Sequence, residues 1–476
     1  MGRRELGERF DECLRTLRAV GQEHLLTFYP QLDDEQKSGL LGQVEEHDWP
    51  HVAELVEKYV KRGDAAPVPR QVEPAPYYPA NPDAKLKNKY IEARHLGEEL
   101  IRRGKVAAFT VAGGQGTRLG WDGPKGTFPA TPVRRKPLFQ VFAEFIAKTR
   151  RKYVAALPWY IMTSPANDAA TRGFFKDHRY FGLAKGDVVF FPQGTVPSFS
   201  LDGKVLLESP CSIATNPDGH GGSLLALHRS GAAADMKRRG VEQVSYFQVD
   251  NPLVRCVDPL FIGLHALEKA QMSSKMVPKA GAGEKVGVFA RWDGRIGVIE
   301  YSDLPPELAE ARNGDGSLRF AAGSIAIHAI ALSFVEKVNE KGFALPWHRA
   351  VKKVRHIDIA TGKSVEPGKP NAVKLETFVF DALRLCERSV VLETVREEEF
   401  GPIKNADGAD SAATSRKLQS DRGGRWLESV GVKVPRDGDG YDATIEIAPL
   451  TAVEPADLRA AAQLPKAVER GQAVAI

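Results

Sequence analysis

Apolar and polar positions along this chain follow two different periods. Over residues 5–62 apolar side chains recur at helical spacing, with acids and bases between them: Leu14, Leu17, Val20, Leu25 and Leu26, then Val52, Leu55, Val56 and Tyr59. That pattern predicts a small helical region. The stretch Asp64–Pro82, DAAPVPRQVEPAPYYPANP, holds too much proline for a helix or a central strand and predicts a linker or an extended strap. A helix is expected to resume near Leu86–Arg103. From there to about residue 390, short β-branched or aromatic runs alternate with helical stretches: VAAFTV, PLFQVFAEFIAKTR, PWYIMTS, a Phe/Asp-rich helix, then DVVFFPQ. Such alternation builds an α/β fold on a mixed, mostly parallel sheet. Further strand-like runs fall at Val244–Asp250, Ser274–Pro278, Val286–Trp292, Ile296–Tyr301 and Val390–Thr394, with a helix at Asp381–Arg388. Past Phe400 the composition shifts to Asn, Asp, Gly, Ala and Ser, and Tyr441–Pro449, YDATIEIAP, predicts a small β-containing terminal domain. The expected division is a helical region and strap over 1–84, a catalytic domain over 85–395, and an α+β domain over 396–476.

The most informative segment is Val106–Pro129, VAAFTVAGGQGTRLGWDGPKGTFP, in which a strand empties into a glycine-rich turn followed by Arg118 and Lys125. Glycines at 113, 114, 116 and 120 permit φ > 0 and bring backbone N–H groups close to an anion, and a helix start downstream would add partial positive charge. Arg118 and Lys125 add full charges. The turn lacks the Gly-Lys-Ser/Thr ending of the Walker pattern, and Leu119 stands where a dinucleotide-binding turn has its third glycine. Its residues resemble instead the nucleotidyltransferase signature, GG-x-G-T-R-L plus a proline-preceded lysine, of enzymes that make nucleotide sugars.

Size and composition narrow the setting. A chain of 476 residues exceeds what one hydrophobic core usually organises. With 42% hydrophobic and 27% charged residues it reads as an ordinary soluble globular protein, and its net charge of +5 is spread among interleaved acids and bases rather than gathered for nucleic acid. Cysteines 13, 211, 256 and 386 are scattered, without zinc-ligand spacing, and are expected to be reduced thiols. The N-terminal MGRRELGERFDECLRTL has acids throughout and no apolar stretch of signal-peptide length, and no later stretch approaches a membrane span, so a cytoplasmic protein with no membrane partner is expected.

Other positions carry candidate chemistry. In SYFQVDNPLVRCVD, Asp250 ends a hydrophobic strand, where a carboxylate could hold a divalent ion against phosphate oxygens; Asp-Asn-Pro is also good turn chemistry. Asp258, before Pro259 and an apolar run, suits a helix cap. In the second glycine-rich turn, NPDGHGGSLLAL, backbone groups could approach a base, ribose or sugar, and His220, between two glycines, is not expected to pack in a core. Gln193 at another strand end could read a base edge. Glu300 could accept from sugar hydroxyls, and Lys404 is a candidate phosphate ligand on a mobile loop.

Taken in order, these pieces resemble the eukaryotic-type UDP-sugar pyrophosphorylases over approximately residues 85–420, most closely the UDP-N-acetylglucosamine branch. The matching segments include AGGQGTRLG with PKG, QGTVPSFSLDGK, PDGHGG, QVDNPLVRCVDPLFIG, LPWHRAVKK, KLETFVFDAL and REEEFGPIKNADGADS. The resemblance implies a Rossmann-like nucleotidyltransferase domain flanked by helical and β-containing parts, transferring uridylyl from UTP to a sugar 1-phosphate with magnesium. It would assign Gly113, Gly114, Thr117, Arg118 and Lys125 to UTP phosphates, Gln193 and Gly219 to uridine with His220 beside them, and Asp250 to the metal. Glu300, Phe378 and Phe380 would line the sugar pocket, and Lys404 would reach the phosphates. Three positions depart from the branch: His220, Ala321 and Ser324 stand where asparagines are usual, and one of the asparagines usual at the last two contacts the sugar, which bears on Ser324 as a sugar-pocket residue. A glucose-specific or broad-range enzyme therefore stays open as an alternative, and outside catalysis a nucleotide-sugar-binding regulator. A monomer or weak homo-oligomer is expected.

Overall fold

The run Val106–Val111 is nearly all apolar, and such a run is stable as a strand only where both faces of the sheet are covered. It lies in the middle of a ten-stranded sheet. A computed structural model of the chain describes residues 3–63, 71–461 and 464–476, and these fold as two compact units, each discontinuous in sequence. The larger comprises Val68–Gln193, Ser223–Ala344 and Phe380–Ile476; the smaller comprises Met1–Pro67, Gly194–Gly222 and Leu345–Val379.

In the larger unit, Val188–Pro192, Trp159–Thr163, Val106–Val111 and Gln243–Gln248 run parallel in that spatial order, with Phe109 level with Tyr160 and Tyr246. Beyond Gln243–Gln248 the sheet turns antiparallel through the long strand Ala322–Ala331, which pairs with Met272–Pro278 and Val288–Trp292; the latter forms a hairpin with Arg295–Ile299. Val391–Glu393 returns parallel to Met272–Pro278. Ser274 faces His328 while Met276 faces Ser324, so the longer strand bulges around Ala326, whose φ is 55°. The strap is tied to this sheet: Glu73–Pro74 pairs with Arg291 and Ala290 at an edge, and Tyr78 bridges Val391 and Glu393 through its backbone. Proline at an edge gives up no ladder donor. Residues 64–70 of the expected strap lie outside the described residues.

The helix Leu138–Tyr153 buries Phe139, Phe142, Phe145 and Ile146 against the sheet. Ala84–Arg102 and Pro259–Leu267 cross backbone to backbone, since a Cβ on Gly97 would sit 1.8 Å from the Pro259 carbonyl oxygen and one on Gly263 1.6 Å from that of Ala93. Asp258 caps the second of these helices by accepting from Leu260 N–H at 3.0 Å, as its sequence predicts. Toward the C-terminus, Ala412–Ser429 is a helix started by a Ser411/Thr414 capping box, and it packs on the parallel pair Thr444–Glu446 and Ala473–Ala475.

The smaller unit contains the expected N-terminal helices. Arg3–Ala19 is followed by Asp34–Glu45, opened by an Asp33/Gln36 capping box, and Trp49–Leu55, capped by Asp48, runs on as a π turn over Val56–Lys61. They pack with Val373 and Leu375 of a three-stranded sheet, Trp347–Lys352, Ala372–Thr377 and Phe199–Ser200.

Two local expectations change. The helix expected at Asp381–Arg388 is a 3₁₀ segment over Val379–Leu385. No α-helix starts directly after the glycine turn; the chain makes two single 3₁₀ turns, Thr117–Leu119 and Lys125–Thr127, before the α-helix at Leu138. The strand Ala322–Ala331, at the junction of the parallel and antiparallel halves, carries too weak an alternation to be read beforehand. Among the described residues no helix is long and apolar enough to cross a membrane.

Candidate active site

The glycine turn is shaped by close approach more than by left-handed backbone. Among its glycines, 120 and 123 have positive φ, whereas 113, 114 and 116 do not. A Cβ on Gly113 would lie 2.3 Å from Gln193 Oε1, and one on Gly116 would lie 2.7 Å from the Trp121 side chain. Gly113 therefore lets the first turn of the parallel sheet touch Gln193, which follows the edge strand Val188–Pro192, so two positions 80 residues apart share one spot. The Gly116 N–H is used inside the turn, donating to the Gly123 carbonyl at 2.9 Å, and Lys125 N–H closes the turn on the Gly114 carbonyl at 3.1 Å. Asn167 braces it from below, donating to the carbonyls of Ala112 and Gly114 at 3.0 and 3.3 Å. Gly114, Thr117 and Arg118 are exposed.

Asp250 leaves the carboxyl end of Gln243–Gln248, the parallel neighbour of Val106–Val111, and its Oδ2 stands 3.8 Å from Lys125 Nζ. Both side chains are largely buried, at 14% and 16% exposure, which strengthens their attraction relative to a surface pair. Asp250, Ser324 and Lys404 line one open cleft, walled by Phe247, Ile325, Ile327 and Phe400. The bulge at Ala326 forms one side of that cleft, a site where bulges commonly re-aim side chains. Lys404 Nζ lies 3.4 Å from Asp410 Oδ2 and 5.6 Å from the centre of the Phe400 ring, and the Asp410 carbonyl accepts from the backbone of Lys404 and Asn405.

In the smaller unit, Gly219 has φ 85° and a Cβ there would meet the Thr377 carbonyl oxygen at 2.3 Å, so the position requires glycine. The Asp218 carbonyl accepts from Thr377 N–H and from its hydroxyl, both at 2.8 Å. His220 is packed, contrary to its expected exposure: its ring stacks on Phe378 with centroids 5.2 Å apart, and His348 stacks on Phe378 at 4.3 Å. Nδ1 of His220 accepts from Val379 N–H at 3.1 Å, leaving Nε2 as the protonated nitrogen of the neutral ring. Burial, with a smaller push from His348, holds His220 down at about 4, so it is neutral at physiological pH.

Of the remaining expected sugar-pocket residues, Glu300 is half-buried at the end of the Arg295–Ile299 strand, its carbonyl accepting from Asp303 and Leu304. Phe380 is buried. Among the described residues no cluster of three or more His, Cys, Asp or Glu side chains could hold a metal alone. A single carboxylate such as Asp250 fits magnesium of the kind shared with substrate phosphates and water, which needs no protein cage. All four cysteines are free.

Sequence reading missed a second layer. Asn251, read as part of a turn, donates to the Glu399 carbonyl at 2.6 Å and accepts from Gly401 N–H at 3.1 Å. Lys275, 1% exposed, pairs with Asp258 at 2.6 Å and with Glu399 at 2.6 Å. Burial pushes the Asp258 carboxyl up, but Lys275 and Arg255 outweigh it and hold the group at about 2. A lysine inside a strand-like run is the one sequence signal that could have pointed there.

The chain is 38% identical over 469 residues to UDP-N-acetylhexosamine pyrophosphorylase-like protein 1 of Homo sapiens, covering 92% of this chain and 91% of that one. It is 38% identical over 378 residues to UDP-N-acetylglucosamine pyrophosphorylase of Saccharomyces cerevisiae, covering 77% and 79%. The crystal structure of the uridine diphosphate N-acetylglucosamine pyrophosphorylase from Trypanosoma brucei, in complex with inhibitor, superposes with TM-score 0.82 at 27% identity, covering 95% of this chain and 94% of that one. A family model described as UTP--glucose-1-phosphate uridylyltransferase matches residues 53–416, and the chain belongs to that family.

Proposed function

We propose that this protein is a uridylyltransferase that makes UDP-N-acetylglucosamine and pyrophosphate from UTP and N-acetylglucosamine 1-phosphate. The observation that carries the sugar assignment is the 38% identity to the Saccharomyces cerevisiae UDP-N-acetylglucosamine pyrophosphorylase across more than three quarters of both chains. A glucose-specific enzyme is not favoured, since the UDP-glucose pyrophosphorylase structures from Leishmania major share the fold at 17% identity.

In this reading an oxygen of the sugar 1-phosphate attacks the α-phosphorus of UTP in line, a new P–O bond forms, and the bond to the pyrophosphate leaving group breaks. The attacking phosphate is already anionic, so no general base or covalent nucleophile is required. The chain's task is positioning and charge neutralisation. Lys125 and Arg118 neutralise the leaving pyrophosphate, the turn amides near Gly113 and Gly114 and the Thr117 hydroxyl orient the triphosphate, and Lys404 serves the cleft side. Gln193 and Gly219 read uracil, with His220 adjacent; Glu300, Ser324, Phe378 and Phe380 meet the sugar. Asp250 would hold magnesium, whose charge would offset that of the phosphates. A cytoplasmic location, supported by four unpaired thiols, and a monomer or weak homo-oligomer complete the reading.

The test is product formation with UTP and magnesium against glucose, galactose, N-acetylglucosamine and N-acetylgalactosamine 1-phosphates. N-acetylglucosamine 1-phosphate should give the highest kcat/KM, and preference for glucose 1-phosphate would overturn the sugar assignment.

A further inference from the structure

Lys275 lies on the buried strand Met272–Pro278, where an unpaired ammonium would be prohibitively costly. Its Nζ is met by both oxygens of Glu399, at 2.7 and 2.6 Å, and by Asp258 Oδ2 at 2.6 Å; Arg255 Nε adds a contact to Glu399 at 3.2 Å. Neutral, apolar side chains could fill such a space with no loss of stability, so the stability of the fold does not by itself account for a charged cluster. What the cluster touches does. Glu399 opens the segment Glu399–Lys404, and that segment is stitched to the strand end carrying Asp250. The Glu399 carbonyl accepts from Asn251, Gly401 N–H donates back to Asn251, and Ile403 N–H donates to the carbonyl of Asp250 itself at 2.8 Å. From the other side Ser415 donates to the Gly401 carbonyl at 2.6 Å. Lys404 is the next residue, and it lines the same cleft as Asp250.

We infer that Lys275, Glu399 and Asn251 are positioning residues of the active site: the buried ion cluster and the amide clamp fix the Glu399–Lys404 segment against Asp250 so that Lys404 and Asp250 face one cleft in a set register. Lys404 matters to turnover only under the uridylyl-transfer reading above, whereas the stitching of the segment does not depend on it.

The variant Glu399→Gln keeps the shape and removes the charge, and Asn251→Ala loosens the same segment without leaving a buried ion alone. Each is compared with wild type and combined with Lys404→Ala. Expected is a fall in kcat of roughly 10- to 100-fold for Glu399→Gln, the scale of a small misplacement of a reacting group. In the Lys404→Ala background the same change should cost almost nothing further. Hydrogen exchange should speed up at Gly401 and Ile403 while the strand Val106–Val111 keeps its protection. A folded Glu399→Gln enzyme with wild-type kcat, an equal loss with and without Lys404, or unchanged protection of Gly401 and Ile403 would overturn the inference. If Glu399→Gln does not fold, Asn251→Ala decides on the same three readouts. A wild-type protein that makes no UDP-sugar would instead defeat the functional reading, and exchange at Ile403 would still decide the positioning.

Discussion

Lys125 Nζ stands 3.8 Å from the Asp250 carboxylate, one on the turn after a central strand and the other at the carboxyl end of that strand's parallel neighbour. Ligands of open α/β sheets collect at such strand ends, and this pair puts a cation and a metal-capable anion there together. Replacing Lys125 with alanine should leave a folded protein whose kcat falls by about 10²- to 10³-fold, the usual cost of removing one preorganised charge donor. Steady-state kinetics beside circular dichroism checks this, and unaltered turnover would remove Lys125 from the reaction.

Asp250→Asn should raise the magnesium concentration needed for half-maximal rate and lower kcat, because a neutral amide is a weaker ligand for a hard cation. A magnesium titration of rate, with UTP saturating, measures it. An unshifted magnesium dependence would place the metal elsewhere.

Much of this site was legible in the sequence because it is built from short, local signals. The glycine turn follows an apolar run, Asp250 ends one, and Asp258 sits before proline at a helix start where it caps Leu260. What was not legible depends on partners remote in the chain. The Ala322–Ala331 strand mixes Gly, Ser, Ala and His with Ile, and its place is set by three neighbouring strands rather than by its own alternation. The packing of His220 comes from Phe378, 158 residues away, which no local pattern announces. Lys275 and Glu399 lie 124 residues apart, and only the fold brings them together.

Gly113→Ala should act through Gln193, since the added Cβ would come within 2.3 Å of its Oε1 and force that side chain aside. Losing one well-placed hydrogen bond predicts a rise in the KM for UTP of up to about 10-fold, with a smaller change in kcat. Kinetics with UTP varied at saturating sugar 1-phosphate checks it.

His220 gives a pH prediction with a definite sign. Its folded value, about 4, lies below the ordinary 6.5, so the unfolded chain takes up a proton first as the medium is acidified. The stability associated with the neutral ring is complete above pH 6.5 and is lost as pH falls toward 4. In His220→Asn the decline in Tm between those limits should be shallower than in wild type, as read by thermal melts at intervals across the window. An identical slope would mean that the ring protonates freely in the folded state.

Lys136 and Glu144 form a buried pair, each contact at 2.8 Å, between the loop after the glycine-rich turn and the first turns of the Leu138–Tyr153 helix. Lys136→Met strands the carboxylate and should cost about 3–5 kcal/mol of unfolding free energy. Guanidinium titration measures it, and the double variant Lys136→Met with Glu144→Leu should recover most of the loss.

The central claim is tested most directly by incubating the purified protein with UTP, magnesium and N-acetylglucosamine 1-phosphate and quantifying pyrophosphate and nucleotide sugar. Equal amounts of pyrophosphate and UDP-N-acetylglucosamine, formed only when all three are present, is the predicted result. A correctly folded protein that releases no pyrophosphate with this or any other hexose 1-phosphate would contradict it.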